Sequence, residues 1–124
     1  MSKGVITKDG TLDLFYGDNP LADAPITDPD YVRLLVNHAS INPSDSINRS
    51  GMFPIGAKVK PDACGFEASG LVIEAGDRAK DLLNKRVHVW ADERGTGAWC
   101  ERMVVHRNDC TILTDNITYE EGCN

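Results

Sequence analysis

Short apolar runs, broken every few residues by glycine, proline, asparagine or aspartate, extend along the whole chain. Runs of this kind are typical of strands joined by turns, because a helix needs a longer stretch with a period near 3.6 residues. An Asp9-Gly10 pair separates the first two runs and predicts a hairpin there. We therefore predict a mainly β fold, a small and partly open β-barrel. The predicted strands are at residues 5–7, 11–16, 31–41, 68–75, 86–91, 99–106 and 111–113.

One or two short helices are predicted between and after these strands. Pro43 suits the first turn of a helix, so we predict one over residues 44–49, ended by Ser50 and Gly51. Thr118 and Glu121 have the spacing of a capping box, in which each side chain bonds the other residue's backbone amide. The box predicts the start of a second helix, and the alternative is that so short a motif arises by chance.

Composition excludes several classes of protein. With 124 residues, of which 41% are apolar and 26% charged, the chain has the size and composition of one folded domain. Its net charge of -6 argues against a nucleic-acid or anionic-membrane partner. No apolar stretch approaches the roughly 20 residues of a membrane span, and no signal-peptide core follows the first residues. We expect a cytoplasmic protein.

The cysteines and histidines do not form a metal-binding motif. Structural zinc sites usually take their ligands from close pairs of cysteines, whereas here no two cysteines are nearer than ten positions. We expect free thiols at Cys64, Cys100, Cys110 and Cys123. His88 alternates with Val87 and Val89 along a predicted strand, so we expect its side chain on the outer side of the barrel.

The residues alone show no catalytic motif. The chain has neither the G-x-S-x-G elbow of serine hydrolases nor a Walker A phosphate loop. Gly95 and Gly97 begin like a dinucleotide fingerprint, but Cys100 stands where the third glycine belongs and a strand follows instead of a helix. A turn is the better interpretation of that segment.

Five ordered segments nevertheless resemble one enzyme family. The segment VRLLVNHASINPSD at residues 32–45 resembles the strand and loop before the active site of zinc-independent quinone oxidoreductases, in the medium-chain dehydrogenase/reductase superfamily. GFEASGLVIEAG at 65–76 is similar to the family's G-x-E-x-x-G-x-V-x-x-x-G, and GAWCE at 97–101 to its G-x-[WY]-A-E. Shorter matches lie at residues 50–54 and 84–87, and residues 112–122 look like the linker into the family's cofactor domain.

The resemblance covers most of the chain and implies both a fold and an activity. Residues 1–124 would form a GroES-like catalytic domain of an alcohol dehydrogenase-like quinone oxidoreductase, with the Rossmann cofactor domain absent from this chain. The full-length protein would pass hydride from NADPH to a small-molecule quinone or enone, without zinc. The chain alone would be inactive and would hold no cofactor.

A second function, from another class, stays open. A stand-alone GroES-like barrel could act as a binding or assembly module without catalysis, as a homo-oligomer or with an assembly partner. A co-chaperonin ring subunit fits the size of the chain, but the motifs above belong to the dehydrogenases.

The resemblance also implies particular site residues. Asn42 matches an asparagine near the nicotinamide, so we expect it to act in catalysis and in cofactor binding, with Asp45 as a second cofactor contact. Phe53, the second expected catalytic residue, falls where a tyrosine often forms hydrogen bonds, and it keeps the ring without the hydroxyl. Phe66 replaces the histidine that zinc-dependent relatives use as a ligand, and a phenyl ring has no lone pair for a metal.

Structural roles compete with these at three positions. Asn42 before Pro43 is also a suitable helix N-cap, and Asp45 in the first turn would favour the helix dipole. Glu67 is expected to hold loop amides or to pair with a basic side chain.

Overall fold

The computed structural model of the chain describes residues 1–7, 14–42, 64–91 and 96–123. These ranges contain seven strands: β1 Lys3–Thr7, β2 Leu14–Asp18, β3 Tyr31–Ala39, β4 Glu67–Ala75, β5 Arg86–Trp90, β6 Arg102–His106 and β7 Cys110–Ile112. One α-helix, α1, covers Tyr119–Gly122. Short 3-10 turns lie at Pro20–Asp23, Lys80–Leu82 and Arg107–Asp109.

The strands form two antiparallel sheets. β1 and β2 pair as the predicted hairpin, with Lys3 opposite Asp18 and Thr7 opposite Leu14. The other five strands form one sheet in the order β6-β3-β4-β5-β7. The mainly β, GroES-like fold predicted from the sequence is confirmed, and within the described residues the sheets do not close into a complete barrel. The Asp9-Gly10 turn and the helix predicted at 44–49 lie outside the described residues.

The core lies on one face of the five-stranded sheet. Alternate residues of each strand point to it, which is the period-2 pattern of a sheet buried on one side. Removing a side chain of this kind from water contributes about 1.5–3 kcal/mol each. Among the residues that the structure describes, the largest fully buried apolar side chains are Val32, Leu34, Val72, Val87, Val89, Met103 and Val105.

Helix α1 starts at the capping box that the sequence predicted. The Glu121 amide donates to the Thr118 hydroxyl and the Thr118 amide donates to the Glu121 carboxylate, each at 3.1 Å. The prediction is confirmed, and the chance alternative is wrong. Among the described residues, the helices are all too short or too polar to cross a bilayer.

Two glycines of β4 and its following turn allow close backbone approaches. A Cβ at Gly70 would lie 2.3 Å from the Leu35 carbonyl oxygen of β3, and one at Gly76 would lie 2.5 Å from the Pro29 carbonyl oxygen. Neither separation is sterically possible. These glycines therefore allow the strands and the turn to pack closely.

We predict that Gly70→Ala lowers the free energy of unfolding by about 1–3 kcal/mol, because the new methyl group must push β3 away from β4. Gly17→Ala in β2 is a matched control, since its Cβ would meet nothing nearer than Ile6 at 3.9 Å. That substitution should change stability by no more than about 0.5 kcal/mol. Urea unfolding of both variants measures the difference, and equal effects would contradict the packing described here.

Candidate functional site

Three of the family-like segments meet at one end of the sheet. Trp99 donates its indole N–H to the Ser40 carbonyl at 3.0 Å, just beyond the end of β3. Its ring lies against Gly65, which has a φ of +87°. A Cβ at Gly65 would lie only 2.4 Å from the indole Cδ1. The Ser40 amide then donates to the Glu67 carbonyl at 3.1 Å. The indole thus fixes the end of β3 beside the start of β4.

The side chain of Glu67 is the centre of a hydrogen-bonded group, the Glu67 cluster, which consists of Ser40, Asn42, Glu67 and His88. Its Oε1 accepts from the Ser40 hydroxyl at 2.6 Å and from the Asn42 Nδ2 at 3.2 Å. Its Oε2 lies 2.8 Å from the His88 Nε2. Asn42 Nδ2 also donates to the Ser40 hydroxyl at 3.0 Å. Each of these four side chains therefore contacts at least one other member.

Strand register explains why the histidine reaches the carboxylate. On β4 and β5, Glu67 lies opposite Trp90, and Ser69 lies opposite His88. Glu67 and His88 are therefore diagonal neighbours on one face, within reach of long side chains. Val87 and Val89, on either side of the histidine, point into the core. His88 is on the outer face as predicted, and there it packs against Glu67 with its side chain 25% exposed.

The cluster keeps Glu67 ionised although its side chain is only 12% exposed. Burial raises the pKa of Glu67, but hydrogen bonds from Ser40, His88 and Asn42 outweigh burial, and the net pKa lies below the ordinary value. An ionised carboxylate only accepts hydrogen bonds. His88 must therefore carry its proton on Nε2, and Asn42 must present its NH2 group to the carboxylate.

Helix α1 covers the neighbouring part of this face. Ser69 donates its hydroxyl to the Tyr119 carbonyl, and Arg86 donates to the Ile117 carbonyl. The Arg86 guanidinium also lies 4.5 Å from the centroid of the Tyr119 ring, a cation–π contact. The end of the helix brings a buried thiol to the cluster: burial, and next the negative charge of Glu67, raise the pKa of Cys123.

The structure includes one of the three predicted site residues in the cluster. Asn42 contacts Ser40 and Glu67. Asp45 and Phe53 lie outside the described residues, so their roles stay predictions. The basic partner expected for Glu67 is His88. The sequence did not identify Ser40 or His88 as site residues. The alternation of valines around His88 predicted that its side chain lies on the outer face, but only the strand register shows that it meets Glu67.

Phe66 occupies a closed apolar position. It is 2% exposed, and its ring centroid lies 6.2 Å from that of Trp90. None of the four cysteines forms a disulfide; three of them are buried and Cys110 is partly buried. In the parts of the chain that the structure describes, no three histidine, cysteine or acidic side chains are grouped closely enough to hold a metal ion.

The fold is that of known quinone oxidoreductases. A candidate NADPH:quinone reductase from Mesorhizobium loti matches 98% of this chain at 28% identity and a TM-score of 0.77, over 39% of its own length. A quinone oxidoreductase from Pseudomonas syringae matches 99% at 24% identity and a TM-score of 0.80, over 37% of its length. A mycobacterial protein solved with NADPH matches 99% at 21% identity and a TM-score of 0.78, over 36% of its length.

These structural neighbours confirm the resemblance to quinone oxidoreductases, and an alcohol dehydrogenase superfamily protein from Novosphingobium aromaticivorans, at 16% identity, shares the fold. The chain spans about two fifths of the length of the proteins it matches. No protein-family model matches the chain, and no curated protein does.

We predict that the chain binds no stoichiometric zinc, because Phe66 has no atom that could act as a ligand and the cysteines lack paired spacing. Elemental analysis of chelator-washed protein measures the metal content. One zinc per chain would contradict the prediction.

A second prediction concerns the pH dependence of stability. Because the folded protein holds the pKa of Glu67 below its ordinary value of 4.5, the ionised group stabilises the fold at neutral pH. This contribution is lost as the pH falls through the folded pKa, since the unfolded chain takes up the proton first. Between about pH 5 and pH 3, wild type should lose more free energy of unfolding than Glu67→Gln. Chemical unfolding across that pH range measures the free energy of unfolding of both proteins. Parallel pH dependences for wild type and Glu67→Gln would contradict the prediction.

Proposed function

We propose that this chain is the catalytic-domain part of a zinc-independent, NADPH-dependent quinone or enone reductase of the cytoplasm, completed by a separate Rossmann domain. The observation that carries the proposal is the Glu67 cluster. It is assembled and positioned by three of the segments that resemble the quinone oxidoreductases, and it includes Asn42, the residue expected near the nicotinamide. The match to a candidate NADPH:quinone reductase over 98% of the chain supports the same reaction class.

The described residues fit one end of the cofactor only. Pyrophosphate binding in this architecture needs a strand, a glycine loop and a helix N-terminus. The described residues that follow β5, from Thr96 onward, do not form such a loop. The Thr96 hydroxyl accepts from the Val104 amide at 2.9 Å, and Gly97, with a φ of +103°, turns the chain toward β6. The chain therefore offers contacts to the nicotinamide end, and the adenosine and phosphate contacts belong to the second domain.

Each proposed site residue has a role that its chemistry allows. Asn42 borders the nicotinamide, with its amide braced against the cluster. Asp45 is the second cofactor contact, and Phe53 contributes an apolar ring to the wall of the substrate cleft. When bound, NADPH supplies the hydride, and the protein supplies orientation and excludes water.

We predict that the isolated chain binds NADPH weakly or not at all and turns over no quinone. The complete polypeptide, in which residues 1–124 are joined to a nucleotide-binding domain, should do both. Titration calorimetry with NADPH and the loss of NADPH absorbance with a quinone measure the two activities. Micromolar binding by the isolated chain, abolished by Asn42→Ala, would show that the cofactor site is misplaced.

Two controls sharpen the test. Asn37→Ala removes an exposed asparagine of β3 outside the cluster, whose side chain contacts its neighbour His38, and should leave the activity of the complete polypeptide unchanged. Asn42→Ala should reduce it by about tenfold or more, as expected when a positioning contact is lost. Extending the reading frame beyond Asn124 should reveal the strand, glycine loop and helix of the second domain, and a frame without them would overturn the proposal.

A further inference from the structure

We propose that His88, held by Glu67, is a catalytic proton donor of this site, an inference that rests on the proposed reductase function. The Glu67–His88 pair is a half-buried carboxylate–imidazole dyad beside Asn42. Its role would be to protonate the anion that hydride transfer leaves on the substrate.

The hydrogen bonds of the cluster leave few other donors. A single NH2 group has two hydrogens, and those of Asn42 are directed at the Ser40 hydroxyl and at Glu67 Oε1. The Ser40 hydroxyl hydrogen is directed at the same carboxylate oxygen, at 2.6 Å. Neither side chain can donate to a substrate without breaking a hydrogen bond within the Glu67 cluster. Phe53, at the position where relatives often carry a tyrosine, has no hydroxyl to offer.

His88 meets the requirements of a proton donor. Its Nε2 is fixed by Glu67 at 2.8 Å, which sets the orientation and the tautomer of the ring. Its Nδ1, on the other side of the ring, is the nitrogen that can meet a ligand, and the side chain is 25% exposed. A single residue links the predicted nicotinamide contact to this imidazole, since Asn42 donates to Glu67 Oε1 and His88 Nε2 lies against Glu67 Oε2. The carboxylate behind the ring holds the imidazole in the orientation from which Nδ1 would donate.

The proposed step balances in atoms and electrons. An enone that accepts hydride from bound NADPH forms a C–H bond at its β-carbon, and the electron pair of its C=C bond moves to give an enolate. The imidazolium Nδ1–H bond then breaks, and its proton passes to the enolate. A quinone would give a hydroquinone monoanion that takes the proton on oxygen. NADPH is oxidised, the substrate is reduced, and neutral His88 regains a proton from water.

The test uses the complete polypeptide with NADPH and a quinone or an enone. His88→Gln keeps an N–H donor for Glu67 but cannot transfer a proton, so kcat should fall about 100-fold while KM for NADPH changes less than about twofold. His88→Ala should lose a similar factor, and added imidazole should restore part of its rate. The matched control is His38→Gln, at an exposed histidine of β3 whose side chain contacts Asn37 and lies outside the cluster; it should leave kcat unchanged.

A structural readout accompanies the kinetics. Nitrogen-15 NMR of His88 in the isolated chain should show the neutral ring protonated on Nε2, and Glu67→Leu should shift the ring to a mixture of tautomers. Unchanged kcat in His88→Gln, or a His88→Ala variant that imidazole does not rescue, would overturn the role of His88 while leaving the reductase function in place. A wild-type polypeptide without any quinone or enone turnover would overturn both.

Discussion

The arrangement of this end of the molecule depends on a carboxylate held mostly out of water. A charge in that position is tolerated only when hydrogen bonds replace its hydration. Glu67 obtains them from three side chains on two segments: Ser40 and Asn42 after β3, and His88 in β5. The same bonds that keep the group ionised also determine where those segments lie. Electrostatics and backbone geometry are therefore linked here, and neither can change alone.

Stability and chemistry share residues in this site. Trp99 packs on Gly65 and holds Ser40, Ser40 bonds Glu67, and Glu67 orients both Asn42 and His88. A side chain that meets a ligand must keep its geometry when the ligand leaves, and a hydrogen-bonded frame fixed to two central strands provides that rigidity. The apolar core on the other face of the sheet holds these strands together, and their register places the members of the cluster side by side.

The sequence predicts the elements well and the cluster only in part. Alternating valines around His88, the Asp9-Gly10 pair and the Thr118–Glu121 spacing are local signals, and the strands, the hairpin and the helix start follow from them. The contacts of Glu67 within the cluster join residues more than twenty positions apart in the chain, as between Glu67 and Ser40. Such pairs depend on the register of β3, β4 and β5, and the register shifts between β3 and β4 follow from no local pattern in the sequence. The partner of Glu67 could be predicted only as a basic group.

The attachment of α1 has a mechanical consequence. The carbonyls of Ile117 and Tyr119 are tied to side chains of β5 and β4, and the last turn places Cys123 close enough for Glu67 to act on its thiol. A rotation of this helix would therefore displace the strands that carry Glu67 and His88, and would change how much water reaches the carboxylate. A displacement of the C-terminal turn would therefore change the polarity around the His88 imidazole, even with no ligand bound.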